Sequence, residues 1–174
     1  HGTHVAGTIA AVTHNASGVA GVAYGAKVVP ARALGQCGGY TSDIADAIIW
    51  ASGGTVSGVA ATSTPAKALN LSLGGSGACD TTTQNAINTA RSRGSVVVVA
   101  AGNSNTNVSN ASPANCSGVI AVAAVNRSGG RAYYSNYGAL VDVAAPGGDV
   151  RTAASNGILS TLNAGASAPG SDSY

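Results

Sequence analysis

Apolar runs rich in β-branched residues recur along the 174-residue chain, at residues 27–34, 68–73, 96–101 and 119–125. Each run is continuous rather than alternating, which is typical of strands that are buried on both faces of a parallel sheet. The Gly- and Ser-rich stretches at 53–64 and 164–174 predict loops. The pattern therefore predicts short parallel strands separated by helices and glycine-rich connections.

Two stretches between these runs carry apolar residues at helical spacing. Residues 42–51 form the first, with Thr41 or Ser42 as the expected N-cap. The second helix is expected over 82–93, after Asp80 and before Gly94, with basic residues in its last turn. This alternation predicts a doubly wound α/β fold, a mainly parallel sheet with helices on both faces. Active sites in such folds lie at the carboxyl ends of the strands.

Composition narrows the class of protein. The chain is 45% apolar and 8% charged, which suits a single globular domain over residues 1–174. A net charge of +2 does not supply the basic surface that nucleic acid requires, so no nucleic-acid partner is expected. No run of 18 apolar residues is present, and we expect no membrane association. Three cysteines without a Cys-x-x-Cys pair favour a secreted protein with disulfides.

The motif that carries most chemistry is HGTHVAG at residues 1–7. A bare His-x-x-His pair is weak evidence, because the spacing also suits a metal and most histidines are structural. Further motifs follow in order: NLSLGG at 70–75, VAAGN at 99–103, SPA at 112–114, YSNYG at 134–138 and VDVAAPG at 141–147. Together these motifs resemble the subtilisin-like serine proteases over nearly the whole chain. The resemblance implies a subtilisin-like catalytic domain.

The resemblance implies roles for individual residues. His1 corresponds to the general base and His4 to a structural histidine, in a helix whose apolar continuation, residues 9–12, packs inward. Asn103 corresponds to the side-chain donor of the oxyanion hole, which stabilises the anion formed in the transition state. The primary specificity pocket would be lined by Ser72, Leu73, Gly74, Ala100, Ala101 and Gly102. Because these walls carry no acidic residue, bulky uncharged side chains should be preferred over Lys or Arg.

Three further sites follow from the same resemblance. Tyr40 would flank a distal apolar subsite, although a plain surface turn explains the same loop. Asp142 would bind calcium together with the backbone carbonyls of Ala114, Cys116 and Val119, since hard cations prefer oxygen ligands. Asp142 could equally cap a turn or pair with an arginine. Cys79 would pair with Cys116, with Cys37–Cys79 as the rival pairing, and Cys37 would then find its partner upstream of His1.

The family pattern is not complete within residues 1–174. Subtilisin-like proteases use Asp, His and Ser in that chain order, and neither the Asp segment nor the Gly-Thr-Ser-x-Ala box is present. We expect the Asp upstream of His1 and the Ser just beyond Tyr174, so the domain would be incomplete at both termini and inactive alone. The parent is expected to be a monomeric, secreted serine endopeptidase that cleaves proteins or peptides through an acyl-enzyme.

Two other function classes compete with this interpretation. A zinc hydrolase using His1, His4 and His14 would need a Glu as its base, and the chain contains none. A noncatalytic secreted peptide-binding module is the stronger rival, because binding edges without a nucleophile hold peptides without cutting them. The sequence beyond residue 174 discriminates the two. A Gly-Thr-Ser box there indicates a protease, and a substituted serine indicates a binding module.

Overall fold

A computed structural model describes residues 1–162 and 165. These residues cluster into two compact units, and each is described by itself. The first unit comprises His1–Val28, Asn126–Gly130 and the described part of 146–174, and the second comprises Val29–Val125 and Arg131–Ala145. The loop expected at 164–174 lies outside the described residues apart from Gly165. The stretch 53–64 carries no helix or strand, as predicted.

Three α-helices and six strands are formed by the described residues. The helices are α1 (Gly2–Ala10), α2 (Thr41–Ala51) and α3 (Thr81–Ser92), and short 3-10 turns lie at Val108–Asn110 and Ala154–Asn156. The strands are β1 (Ala68–Leu71), β2 (Gly75–Ser76), β3 (Val96–Ala100), β4 (Ala111–Ser112), β5 (Ile120–Val125) and β6 (Val143–Pro146). The main sheet has the order β1-β3-β5-β6, with β1, β3 and β5 parallel, while β2 and β4 form a small antiparallel pair. The α/β class and the mainly parallel sheet are confirmed.

The core of the second unit lies between the sheet and two helices. Alternate residues of the strands point to one face, where Leu69, Val97 and Val99 are buried. Helices α2 and α3 cover that face with small or branched side chains, so the backbones approach closely. The helical members of this cluster are Ala45, Ile48, Ala86, Ile87 and Ala90. The apolar spacing predicted for both helices is therefore the spacing that faces the core.

The ends of the two helices differ in how they are capped. Asp80 is the N-cap of α3, and its carboxylate accepts the N–H of Thr83 at 2.9 Å and the Thr83 hydroxyl at 2.6 Å. These bonds hold the pKa of the Asp80 carboxyl below its ordinary value. The expectation for α2 was wrong. Its N-cap is Tyr40, with extended backbone and no side-chain cap bond, because Thr41 already belongs to the helix.

Residues 27–34 do not form the strand that their apolar composition predicted. Val28, Val29 and Leu34 are exposed, and within the described residues no strand pairs with this segment. A strand requires a neighbour for its N–H and C=O groups, and Pro30 has no N–H to contribute. Val12 was expected to pack inward but is 69% exposed, because α1 ends at Ala10. Within the described part of the chain, no helix is long and apolar enough to cross a membrane.

Candidate active site

His1 stands at the N-cap position of α1 in the first unit. Its carbonyl accepts the N–H of Val5 at 3.1 Å, so the residue is held by the first turn of the helix, and it is exposed. The buried Gly7 lets a second segment approach the same helix. A Cβ at Gly7 would lie 2.6 Å from Ser160 Oγ and would collide with the side chain of Thr161. Glycine in the HGTHVAG motif is therefore required by packing.

His4 lies on the same helix but is half-buried and bonded within the unit. Its Nε2 lies 2.8 Å from the carbonyl oxygen of Ile158. Its own carbonyl accepts the hydroxyl of Ser160 at 2.6 Å and that of Thr8 at 3.1 Å. Ser160 itself is fully buried. These contacts support the structural role that the resemblance implied for His4.

The two expected walls of the pocket follow neighbouring parallel strands of the second unit. The register pairs Leu71 of β1 with Val99 of β3, so both strands end at the same edge of the sheet. The segment 72–74 follows β1, and the segment 100–102 consists of the last residue of β3 and the two residues after it. The structure therefore brings these six residues to one edge: Ser72, Leu73, Gly74, Ala100, Ala101 and Gly102. This is the edge at which the fold class predicts a site.

The first wall, residues 72–74, and the residues just after it contact a second segment, residues 111–116. Gly75 pairs with Ser112 in the β2–β4 ladder, and a Cβ at Gly74 would lie 2.9 Å from the carbonyl oxygen of Ser112. Asn115 adds two bonds, because its Nδ2 donates to the carbonyls of Gly77 at 2.8 Å and Ser109 at 2.9 Å. Gly74 thus allows the wall to contact the 111–116 segment without a gap.

A disulfide joins the same two segments. Cys79 and Cys116 are bonded, with their Cα atoms 5.1 Å apart. This is the pairing that the resemblance implied, so the rival Cys37–Cys79 pairing is wrong. Cys37 is free and exposed, in the turn closed by Gly35 and Gly38. Tyr40 follows at the start of α2 and is 78% exposed.

Asn103 lies just beyond the carboxyl end of β3 and is exposed. The preceding Gly102 has φ +105°, a conformation that side-chain-bearing residues rarely adopt, so the chain turns sharply there. Among the described residues, the side-chain amide of Asn103 has no hydrogen-bond partner. An exposed donor at a strand end is suited to a ligand oxygen.

One residue of this region was missed by the sequence analysis. Asn136 is 2% exposed, and its side chain bonds the backbone on either side of Asn103. The YSNYG motif was recognised, but its contact with a loop 30 to 35 residues earlier leaves no mark in local periodicity. The available signal was the polar pair Ser135-Asn136 between two tyrosines. This pattern does not show which segment Asn136 contacts.

The candidate cation ligands lie in the second unit. Asp142 Oδ2 accepts the N–H of Ala121 at 2.8 Å, and the Asp142 N–H donates to the Ala121 carbonyl at 3.0 Å. The carboxylate is therefore oriented by the sheet, and its Oδ1 has no bonded partner among the described residues. Within that same part of the chain, no three His, Cys, Asp or Glu side chains form a group that could hold a metal. His1, His4 and His14 do not form such a group.

The chain is similar to known proteins over its whole length. The family model described as the subtilase family, Peptidase_S8, matches residues 1–174. The extracellular protease of Xanthomonas campestris pv. campestris is 64% identical over 174 residues, which are 100% of this chain and 29% of that protein. The extracellular basic protease of Dichelobacter nodosus is 49% identical, with 100% and 28% covered. The chain thus spans less than a third of the length of these relatives.

Solved structures show the same likeness. A protease from Pseudoalteromonas arctica matches with a TM-score of 0.95 and 69% identity, covering 100% of this chain and 52% of that one. A cold-adapted subtilisin-like serine proteinase matches with a TM-score of 0.70 and 33% identity, covering 85% and 49%. The backbone arrangement described above is therefore shared with proteins of known structure.

Proposed function

Because this chain belongs to the subtilase family, we propose that it forms the central part of the catalytic domain of a secreted serine endopeptidase. The observation that carries the proposal is the exposed amide of Asn103 beside two glycine-containing walls at one sheet edge. The names of the relatives, which are extracellular proteases, support both the proteolytic activity and secretion.

In the proposed reaction, His1 accepts the proton of a serine hydroxyl supplied by a segment outside residues 1–174. The serine oxygen bonds to the scissile carbonyl carbon, and the carbonyl oxygen becomes an anion that the Asn103 amide stabilises. His1 then protonates the leaving amine, the C–N bond breaks, and an acyl-enzyme remains. The oxygen of a water molecule that His1 deprotonates then bonds to the acyl carbon, the ester bond to the serine oxygen breaks, and His1 returns the proton to that oxygen.

The pocket walls support a preference for uncharged substrates. The six wall residues include no carboxylate that would pair with a Lys or Arg side chain. Apart from Leu73, their side chains are small and leave space for a bulky apolar group, whose burial stabilises the bound substrate. An extended peptide would also pair its backbone with the wall segments, with Tyr40 contacting a residue further from the cleaved bond.

A calcium ion at Asp142 is part of the proposal. The free Oδ1 of Asp142 and the carbonyls of Ala114, Cys116 and Val119 would supply oxygen ligands, which are the type that calcium prefers. Calcium takes about six to eight oxygens, so water would complete the shell. The ion would link the 113–119 segment to Asp142 and would take no part in bond cleavage.

The test uses the complete enzyme, with the segments that flank this chain. Asn103→Ala should lower kcat by about 100-fold with little change in KM, a magnitude taken from subtilisin itself, because the donor acts mainly in the transition state. A serine-reactive probe should label the enzyme and abolish turnover of a chromogenic peptide. Residues 1–174 alone should show neither labelling nor turnover. A complete protein that binds peptide but is never labelled is a binding module, and the proposal is then wrong.

A further inference from the structure

Asn136 contacts the backbone immediately before Asn103. Its Nδ2 donates to the carbonyl oxygen of Ala101 at 2.8 Å, and its N–H donates to that of Gly102 at 3.0 Å. The approach is so close that a Cβ at Gly102 would collide with Asn136 Nδ2. The sharp turn at Gly102 and the position of Asn136 therefore depend on each other.

The same side chain also contacts the backbone after Asn103. Its Oδ1 accepts the N–H of Ser104 at 3.0 Å and the N–H of Thr106 at 3.1 Å. Both lone pairs of this oxygen are thus used, and the amide spans the loop from one side of Asn103 to the other. Since the Asn136 amide is buried, a shift of the loop would leave its polar atoms without partners, which is costly.

Two further contacts hold the loop at Asn105, two residues after Asn103. Arg131 Nη1 donates to Asn105 Oδ1 at 2.8 Å and to the carbonyl of Ser135 at 2.6 Å. The Asn105 N–H donates to the carbonyl of Tyr134 at 2.8 Å. These contacts come from the same 131–137 segment that carries Asn136. Among the described residues, the Asn103 side chain has no hydrogen bond to this frame.

We infer that Asn136 is a positioning residue, which fixes the loop so that the Asn103 amide is aimed at the oxyanion before the reaction begins. The inference rests on the proposed function of Asn103. A preorganised donor stabilises charge without reorganising at the moment of reaction. A displacement of about 1 Å in such a group can lower the rate by about 100-fold. The loop must therefore be held, and Asn136 holds it on both sides of the donor.

The experiment is a double-mutant cycle in the complete enzyme, with kcat normalised by titration of active sites. Asn136→Ala should lower kcat by about 10-fold or more while KM changes little, since a misaimed donor fails mainly in the transition state. On an Asn103→Ala background the same substitution should lower kcat much less, because the donor it positions is already gone. Asn136→Ser is the milder variant, and should show the same pattern if the Ala variant folds poorly.

Ser95→Ala is the matched control. Ser95 is also buried, but its hydroxyl donates to the carbonyl of Ala66 at 2.6 Å, and among the described residues it makes no bond to the Asn103 loop or to the 131–137 segment. It should lower the melting temperature and leave kcat per active site unchanged. An unchanged kcat in the Asn136 variants, an equal loss in Ser95→Ala, or a full additional loss on the Asn103→Ala background each overturns the inference. An Asn103→Ala variant with normal kcat overturns the proposed function and the inference together.

Discussion

Asp142 and Ala121 form a reciprocal pair: the carboxylate of Asp142 accepts the Ala121 N–H at 2.8 Å, and the Asp142 N–H donates to the Ala121 carbonyl at 3.0 Å. Ala121 is fully buried in β5, so its N–H depends on this carboxylate. Asp142 therefore anchors its segment to a strand, which is neither the turn cap nor the arginine pair considered from the sequence. It uses one carboxylate oxygen and leaves the other available to a cation.

The two roles of Asp142 can be separated by substitution. Asp142→Asn keeps an oxygen for the Ala121 N–H but lowers the affinity for calcium, because the charge is lost. We expect millimolar calcium to raise the melting temperature of the wild type and not that of Asp142→Asn. Asp142→Ala should be less stable even without calcium, by about 1–3 kcal/mol, because it leaves a buried N–H unpaired.

Asp149→Asn is the control for this measurement. Asp149 is paired with Arg151 in the first unit. Its substitution should leave the calcium response unchanged. A calcium shift of equal size in the wild type and in Asp142→Asn would show that the ion binds elsewhere. No shift in either protein would show that Asp142 serves only to anchor its segment to β5.

The two histidines of the first motif should respond differently to removal. His1→Ala should abolish nearly all turnover, because no other residue then moves the serine proton. His4→Ala should lower the free energy of unfolding by about 1 kcal/mol or more through its lost bond to Ile158, with kcat per active site retained. Melting curves and active-site-normalised kcat measure the two effects.

His14→Asn is a suitable control for both histidine variants. His14 is exposed and has φ 65°, a conformation that Asn tolerates well. It should leave stability and turnover near the wild-type values. A His4→Ala variant with normal stability and lost kcat would instead assign His4 to the chemistry.

The sequence predicted elements where local pattern and packing agree. The valine-rich run became β3 and the helix after Asp80 became α3, because apolar period, cap and core-facing residues all favour one structure. Residues 27–34 show the opposite case, since their apolar side chains predicted a strand but no strand lies beside them in the described chain. The composition of a segment indicates how readily its backbone becomes extended. It does not indicate whether another strand lies beside it.

The candidate site was predictable to different extents. The resemblance proposed Asn103 and the wall residues, and the parallel register of β1 and β3 brings the ends of these two strands to one edge of the sheet. The frame around Asn103 was not predictable, since Asn136 reaches it from 30 to 35 residues away through backbone atoms, which have no sequence signature. A side chain that bonds to backbone atoms does not restrict the residue type whose backbone it contacts, so the sequence of the loop does not reveal the contact.

Removing the Cys79–Cys116 bridge should destabilise the protein without dismantling the pocket wall. The bridge closes a loop with a sequence separation of 37. Its loss in the double Ser variant should lower the free energy of unfolding by roughly 3–4 kcal/mol, because the unfolded chain gains freedom. The β2–β4 ladder and the bond from Asn115 to the Gly77 carbonyl still join the two segments, so KM should change little. Urea denaturation and peptide hydrolysis measure these quantities.

Cys37→Ser serves as the control for this experiment. Cys37 is free and exposed among the described residues, and its loss should leave the urea midpoint unchanged. A large loss of stability in Cys37→Ser, with none in the Cys79 and Cys116 variant, would contradict the observed pairing.

Asp80 should make α3 sensitive to acid. The Thr83 hydroxyl and N–H hold the pKa of the Asp80 carboxyl below its ordinary value, so the folded state favours the charged form. This contribution to stability is present above the unfolded-state pKa and is lost as pH falls through the folded-state pKa. At neutral pH, Asp80→Ala should lower the free energy of unfolding by about 1 kcal/mol, since one end of the helix loses its cap.

Asp80→Asn separates the charge from the cap. Asn is as good an N-cap as Asp but does not titrate, so this variant should keep most of the stability at neutral pH. The difference in unfolding free energy between wild type and Asp80→Asn should therefore shrink as pH falls through the folded-state pKa of Asp80. Urea denaturation of the three proteins at a series of acidic pH values measures it. A difference that stays constant with pH would mean that the carboxylate charge contributes nothing to the cap.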